Sequence, residues 1–457
     1  MIKINITTLG CPKNTVDSTH LIRNFLSHGF EHVDDIDDAD ILLINTCGFI
    51  KDAKEESIEE VLRLGTGKGD RKLVVFGCLA KRYRDELLKE IPEIDALFGV
   101  GEEDKIIEYC NSTVTGRRGD TETRRHKNMN FPTHRVTDSP GRRVNSFAYL
   151  KIADGCNKKC TFCVIPSIRG KFMSVSKQDI LKEAEEYVRS GVKELILVAQ
   201  DITNYSEESG KYNLVSLLKD LAAINGDFRI RLLYLYPTEI TDELLDYIAS
   251  EPKIQKYLDI PFQHSEDKVL RLMGRRGTRK GYIKLIRQIR KTIPGVALRT
   301  TFIVGFPGET EEDFNGLVDF IEEIRFDRLG VFKYSKEEGT PAAKLSGHVP
   351  EKTKDRRLDE IMKRQASISL EINRDLVGKQ YEAIIDEIDG DVIIARLYSH
   401  TPEIDGVVII ENRDRPLFLL QKKGSVPIFY YKVGDIVTVE ILDAYDYDLK
   451  GKIIKKI

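Results

Sequence analysis

Cys156, Cys160 and Cys163 form a C-x3-C-x2-C run, Cys-Asn-Lys-Lys-Cys-Thr-Phe-Cys, directly after an apolar segment at 149–153 that reads as a strand. Three thiolates on one tight loop can hold three irons of a four-iron cluster and leave the fourth iron open. A closed structural zinc site needs a fourth protein ligand. The nearest histidines, His134 and His264, lie far along the chain, and a paired C-x2-C arrangement is missing. An open iron points to chemistry, not scaffolding.

Three more cysteines, Cys11, Cys47 and Cys78, are too far apart for spacing to group them. Position groups them instead. Each closely follows a predicted strand, at 4–9, 41–45 and 73–76. Parallel strands place their carboxyl ends on one sheet edge, where open α/β folds build their sites. Three thiols there could converge on a second cluster, again one ligand short, with Gly10, Gly48 and Gly77 letting the backbone turn tightly. The residues alone leave unrelated buried thiols as the alternative. Cys110, at a helix end outside both trios, is expected to serve packing.

The elements that position these residues follow from hydrophobic patterning. Short apolar runs at 3–8, 41–45, 73–76 and 96–100 alternate with helical stretches and predict an open α/β sheet domain over 1–110. Residues 111–145 turn rich in Arg, Thr, Gly and Pro, with Arg117, Arg118, Arg124, Arg125, Arg142 and Arg143, and read as a basic linker, either solvated or in contact with RNA. Strand-like segments at 149–153, 194–199, 229–235, 256–260, 297–304 and 327–334 predict an open, partial (β/α)6 barrel, ending in a charged helix at 351–373, so that this unit covers 146–373. The first barrel strand delivers the cysteine loop to its carboxyl end, the face that carries active sites in such barrels. Residues 376–457 are rich in Ile, Val and Tyr, with turns at Asp389-Gly390, Asp405-Gly406 and Val433-Gly434, and predict a small β-barrel.

Smaller signals lie on the same barrel edge. Gly305-Phe306-Pro307-Gly308-Glu309-Thr310 joins a strand to a helix, and such a turn brings backbone N–H groups to a ligand; Gly305 and Glu309 are candidate cofactor contacts. Phe162 could shield a cluster, pack on an adenine or simply anchor the loop. His264, after the fourth strand, is either a pocket residue or a structural one. The glycines at 65, 67 and 69 follow a helix and precede a strand, the wrong side for a phosphate cradle, and read as an ordinary turn.

Charged residues make up 32% of the 457 residues yet nearly cancel at a net of −3, so partner preference must be local. No apolar run approaches the roughly 18 residues that span a bilayer, and the amino end alternates like a strand. The chain reads as cytoplasmic. Seven cysteines are too sparse for a disulfide framework.

The C-x3-C-x2-C loop, the six-unit barrel and the Gly-Phe-Pro-Gly-Glu-Thr turn resemble radical S-adenosylmethionine enzymes. The three amino-terminal cysteines and the terminal β-barrel, of TRAM type, resemble their methylthiotransferase branch, over nearly the whole chain. Thr8 to Asn14 with Asp17-Ser18, Ile165 to Gly170, Ser399 to Gly406 and Asp446 to Leu449 are similar to the members that modify an aspartate of protein twelve of the small ribosomal subunit. The tRNA-modifying members typically carry Gln-Met after the first cysteine and an aromatic where Ser167 stands. Asp154 departs from the commoner glutamate or arginine.

The resemblance implies two [4Fe-4S] clusters and S-adenosyl-L-methionine as cofactors. Cys156, Cys160 and Cys163 would hold the cluster that binds and reductively cleaves S-adenosylmethionine, and Cys11, Cys47 and Cys78 the auxiliary cluster that carries the transferred sulfur. The partners implied are a small-subunit ribosomal protein, an electron-donating reductase and a sulfur source. From Leu376 to the end, 14 Asp and Glu outnumber 11 Lys and Arg, and Asp386, Glu387, Asp389 and Asp391 cluster. RNA binders are usually basic, so this tail suits a basic protein better than nucleic acid, unless its carboxylates only confer solubility. A tRNA methylthiotransferase is the nearest alternative. An electron-transfer protein without turnover would leave the barrel and its Gly-rich turn unexplained.

Overall fold

The computed structural model describes residues 1–115, 146–207, 212–411 and 431–457. The arginines of the basic stretch, Arg117 to Arg143, lie outside the described residues. The first sheet is parallel, with strands β1 (Lys3–Thr8), β2 (Glu31–His32), β3 (Ile41–Thr46), β4 (Lys72–Gly77) and β5 (Ala96–Phe98) in the order β2-β1-β3-β4-β5. Alternation builds two cores from the same strands. Leu42, Ile44, Leu73 and Val75 face one side, and Ile41, Leu43, Val74 and Phe76 the other. Helices cover both faces, which is why these strands read as continuous apolar runs. Cys110 is fully buried among Ile4, Leu21 and Phe25, the packing role expected of it. The polar two-residue β2 carries no apolar signal and was invisible to patterning.

The middle sheet runs in chain order, all parallel: β6 (Phe147–Lys151), β9 (Glu194–Val198), β10 (Arg229–Leu232), β11 (Ile254–Asp259), β12 (Ala297–Val304) and β13 (Arg328–Lys333). Its six strands form the expected open arc. The first predicted strand is split, however. β6 stops at Lys151, and β7 (Ala153–Asp154) leaves the arc to pair antiparallel with β8 (Met173–Ser174), closing the base of the cysteine loop. β10 ends three residues before the predicted 235, because Tyr234 turns left-handed at φ +64°.

The helix Glu351–Arg374 then leads to a closed barrel of β14 (Gln380–Asp389), β15 (Val392–Leu397), β16 (Val408–Glu411), β17 (Ile436–Ala444) and β18 (Leu449–Lys456). Buried charge docks this barrel at the amino ends of the arc. Glu194, fully buried, accepts from Arg231 at 2.8 Å and from Arg396, and Arg396 also pairs with Asp386 at 2.6 Å. Ser146 donates to Asp386 as well. Asp386 is therefore spent on the domain junction and does not join the exposed cluster of Glu387, Asp389 and Asp391. Tyr149 donates to Glu403 and Tyr257 to Asp405, so the segment from Ser399 to Gly406 is also docking surface. Among the described residues no helix is long and apolar enough to cross a membrane.

Removing one partner of a buried ion network strands the rest. Arg396→Met is expected to cost about 3 kcal/mol. Hydrogen exchange should quicken roughly a hundredfold in β14 and β17, while β3 and β4 keep their protection; unchanged rates in the terminal barrel would show that the network does not hold it in place.

Candidate functional site

β1, β3 and β4 are neighbours in register, with Thr8 opposite Asn45 and Asn45 opposite Phe76. Cys11 caps the helix Pro12–Ser27 after β1, Cys47 follows β3, and Cys78 opens the helix Cys78–Arg82 after β4. The three loops are therefore adjacent. Close approach depends on glycine. A Cβ on Gly10, at φ +95°, would fall 2.8 Å from Cys47 Cβ, and one on Gly48 would fall 2.8 Å from the Leu79 backbone. Ser57, fully buried, pins Cys47 by accepting from its N–H at 3.0 Å and donating to its carbonyl at 3.1 Å.

The thiols are near enough to shift one another. Burial pushes Cys47 up to about 11, reinforced by Cys11 and Cys78. Burial likewise raises Cys78, against the pull of Arg169. Cys11 moves the other way. Its burial is outweighed by Lys13, the N–H of Asn14 and Arg169, which hold its thiol below the ordinary value.

The second trio lies on the loop above β7. The Lys158 N–H donates to Cys156 Sγ at 3.4 Å, and Arg275 reaches Cys160 Sγ at 3.9 Å while donating to the Pro261 carbonyl at 2.6 Å. Burial raises Cys156 and pushes Cys163 up to about 12, with the other two thiols of the loop adding to the shift at Cys163. Thr161 fastens the loop to the segment beyond β11, donating from N to Met273 O at 2.9 Å and from Oγ1 to Leu272 O at 2.7 Å. Phe162 packs edge-on to Phe306 at 6.3 Å, and Phe306 packs on Tyr334 at 5.1 Å. Of the roles left open for Phe162, the contact present is the loop anchor.

Between the trios sits Arg169, whose side chain is 1% exposed. It donates to Asn14 Oδ1 at 2.7 Å, to Asp17 at 2.9 Å and to Asp154 at 2.8 Å. Asn14 and Asp17 are on the helix that Cys11 caps; Asp154 is two residues before Cys156. One guanidinium thus ties the two cysteine sets together. Burial would raise the Asp154 carboxyl, yet Arg169 and Lys151 hold it below the ordinary carboxylate range. Asp154 is fully used, accepting also from Gln200 at 2.8 Å. Sequence reasoning placed Arg169 in a motif without a role. Its partners are 152 and 155 residues away in one domain and 15 in the other, so no local pattern could announce them.

The Gly-rich turn is built from behind. Gly305, at φ +72°, leaves room for the Lys354 stem, which would meet a Cβ at 2.3 Å. Glu309 is buried, accepts from the Phe306 N–H at 2.9 Å and pairs with Arg357 at 2.8 Å; burial pushes its carboxyl up to about 7. Neither presents a side chain to open space, so both shape the turn. His264 is fully buried, accepts from the Glu266 N–H at 3.0 Å and is pushed down to about 3 by burial, a neutral structural histidine.

Among the described residues, no three His, Cys, Asp or Glu side chains gather round one ion-sized position. A four-iron cluster takes one thiolate per iron, spread over a cube, and each trio offers three soft donors beside N–H groups or cations that offset thiolate charge. The donor sets fit that group.

Comparison with known proteins agrees with the geometry. Residues 150–321 match the Radical SAM superfamily, residues 3–99 the uncharacterized protein family UPF0004, and residues 377–454 the TRAM domain. The chain is 56% identical over 456 residues to the ribosomal protein uS12 methylthiotransferase RimO of Thermodesulfovibrio yellowstonii, covering 99% of this chain and 100% of the relative. It is 44% identical to the RimO of a Thermoanaerobacter species, again covering 99% and 100%. Among solved structures, the radical S-adenosylmethionine methyltransferase TsrM from Kitasatospora setae, with cobalamin and a [4Fe-4S] cluster bound, shares the fold at TM-score 0.54 and 14% identity, covering 86% of this chain and 77% of TsrM. With 56% identity along the whole chain and all three domains matched, the chain belongs to the RimO family of radical S-adenosylmethionine methylthiotransferases.

Proposed function

We propose that this enzyme adds a methylthio group to the β-carbon of an aspartate of ribosomal protein uS12, with Cys156, Cys160 and Cys163 holding one [4Fe-4S] cluster and Cys11, Cys47 and Cys78 a second. When bound, the clusters and S-adenosylmethionine supply the reductive cleavage that makes a carbon radical and the sulfur that is transferred. An electron-donating reductase and a sulfur source complete the system in the cytoplasm.

The chain's own part is placement and charge. Arg169 carries the reading, because its three hydrogen bonds fix the Cys11 helix against the base of the Cys156 loop. The same cation, with Lys13, favours the thiolate form at Cys11. Arg275 and the Lys158 N–H offset charge at Cys160 and Cys156. The Phe162–Phe306 contact sets the loop against the Gly-rich turn, whose backbone, shaped by Gly305 and Glu309, is the cofactor contact. A protein substrate is supported by the relatives' names and by the excess of carboxylates beyond Leu376.

Three outcomes are expected. After anaerobic reconstitution, a Cys11, Cys47, Cys78 triple alanine variant should lose about half the iron of the wild type and still form 5′-deoxyadenosine; full iron content would refute the second cluster. Incubation of the reduced enzyme with uS12 or with tRNA should give a mass gain on the protein alone, whereas a gain on tRNA alone would replace the proposed substrate. Arg169→Gln removes a positive charge beside the thiolates, which favours the reduced form of a cluster. The potential of one cluster, read by electron paramagnetic resonance titration, should therefore move to more negative values, and two unchanged potentials would remove Arg169 from the electrostatics of the site.

A further inference from the structure

The chain carries 71 basic and 74 acidic residues, and most of its helices mix the two signs. The helix Glu351–Arg374, for example, holds seven basic and five acidic side chains. The helix Arg279–Thr292 does not. It has six Lys and Arg and no Asp or Glu, and Lys268, Arg271, Arg275 and Arg276 precede it. Its buried stripe, Tyr282, Ile286 and Ile289, faces the barrel, which turns Lys280, Lys284, Arg287 and Lys291 outward.

Lys280, Lys284 and Arg287, with Lys268, Arg271 and Arg279, line a groove of about 840 Å³ between this helix and the segment Asp267–Leu272. Acidic residues at its margin are committed locally. Glu266 pairs with Arg279 at 2.6 Å, Asp313 pairs with Lys268 at 3.0 Å and Asp267 accepts from the Arg279 N–H at 2.8 Å, while Arg287 meets the exposed Glu323 at 3.3 Å. Arg271, Lys280 and Lys284 have no ion-pair partner among the described residues. Lys280 and Lys284, like Arg287 and Lys291, are four apart on one helix, a spacing at which like charges oppose the helix. A dense anion seated in the groove relieves that repulsion.

The groove adjoins the catalytic face. The segment Asp267–Leu272, one wall of the groove, ends where the Leu272 and Met273 carbonyls accept both hydrogen bonds of Thr161, between Cys160 and Cys163. A bound polyanion would therefore lie beside the cysteine loop. A free basic protein would be repelled here, yet the same protein in its ribosomal setting is surrounded by RNA phosphate. We infer that the groove binds the RNA backbone of the small ribosomal subunit, so that the enzyme meets its substrate as a protein on RNA: the basic groove takes the phosphates and the acidic terminal barrel the protein. This rests on the ribosomal-protein reading above.

The test uses reconstituted full-length enzyme and small ribosomal subunits from cells that lack it. The variant Lys280→Glu, Lys284→Glu, Arg287→Glu should bind subunits at least tenfold more weakly than wild type, and its affinity should fall less steeply with salt, the log–log slope shrinking by about 2 to 3 if each cation meets one phosphate. Its mass gain on free uS12 and its melting temperature should match the wild type, and the Lys280→Arg, Lys284→Arg variant should retain binding. Equal affinity and equal salt slope in the charge-reversed enzyme would overturn the inference, as would tighter wild-type binding to bulk tRNA than to subunits. Failure of the ribosomal-protein reading looks different: wild type would then leave uS12 unmodified, free or assembled.

Discussion

A buried guanidinium is tolerable only when acceptors surround it, and Arg169 finds its acceptors in two domains at once. That constraint fixes how the first sheet meets the barrel. If the sheet slid by one helical turn, Asn14 and Asp17 would leave the guanidinium and a charge would be stranded in the interior. Lys151 reinforces the lock, because it bonds to Asp17 and also lies 3.3 Å from Asp154. Each loop of thiols could form by itself from its own glycines and turns. Their mutual placement depends on this charge network.

A second buried network, Arg231–Glu194–Arg396–Asp386, clamps the terminal barrel to the opposite end of the arc. The two clamps use the strands differently. At the carboxyl ends the charges belong to or adjoin the segments that carry the two cysteine trios; at the amino ends Glu194 and Arg231 lie on the strands themselves, where β/α barrels keep their stabilising contacts.

Much of this was legible in the residues because the causes are local. The runs at 41–45 and 73–76 announced strands of an open α/β sheet, and Cys47 and Cys78 stand just beyond them. What stayed hidden depends on distant partners or on single dihedral angles. Asp386 looked like one of four carboxylates in an acidic cluster, since nothing near it in the chain shows that Arg396 and Ser146 claim it. The partner that holds Glu309 was equally hidden, since Arg357 lies 48 residues downstream. The barrel strand predicted at 229–235 was cut short by one left-handed residue, and patterning does not detect a change of φ.

That residue, Tyr234, shows how the site uses strain. A left-handed conformation costs a side-chain-bearing residue roughly 1–2 kcal/mol. The Asp259 carboxylate holds it by accepting from the Tyr234 N–H at 3.1 Å, and Asp259 is itself fixed by Arg299 at 2.9 Å. The reversal carries the Tyr234 ring under Lys13, whose ammonium lies 4.0 Å from the ring centroid and is 7% exposed. A cation over an aromatic face recovers about 0.5–2 kcal/mol, comparable with the strain. The ring thus seats the buried cation whose charge helps draw Cys11, alone in its trio, toward the thiolate. A relaxed Tyr234 would continue β10 and withdraw the ring, leaving a buried lysine without its seat. The strained dihedral and the depressed thiol are two ends of one arrangement, paired across the junction that Arg169 locks.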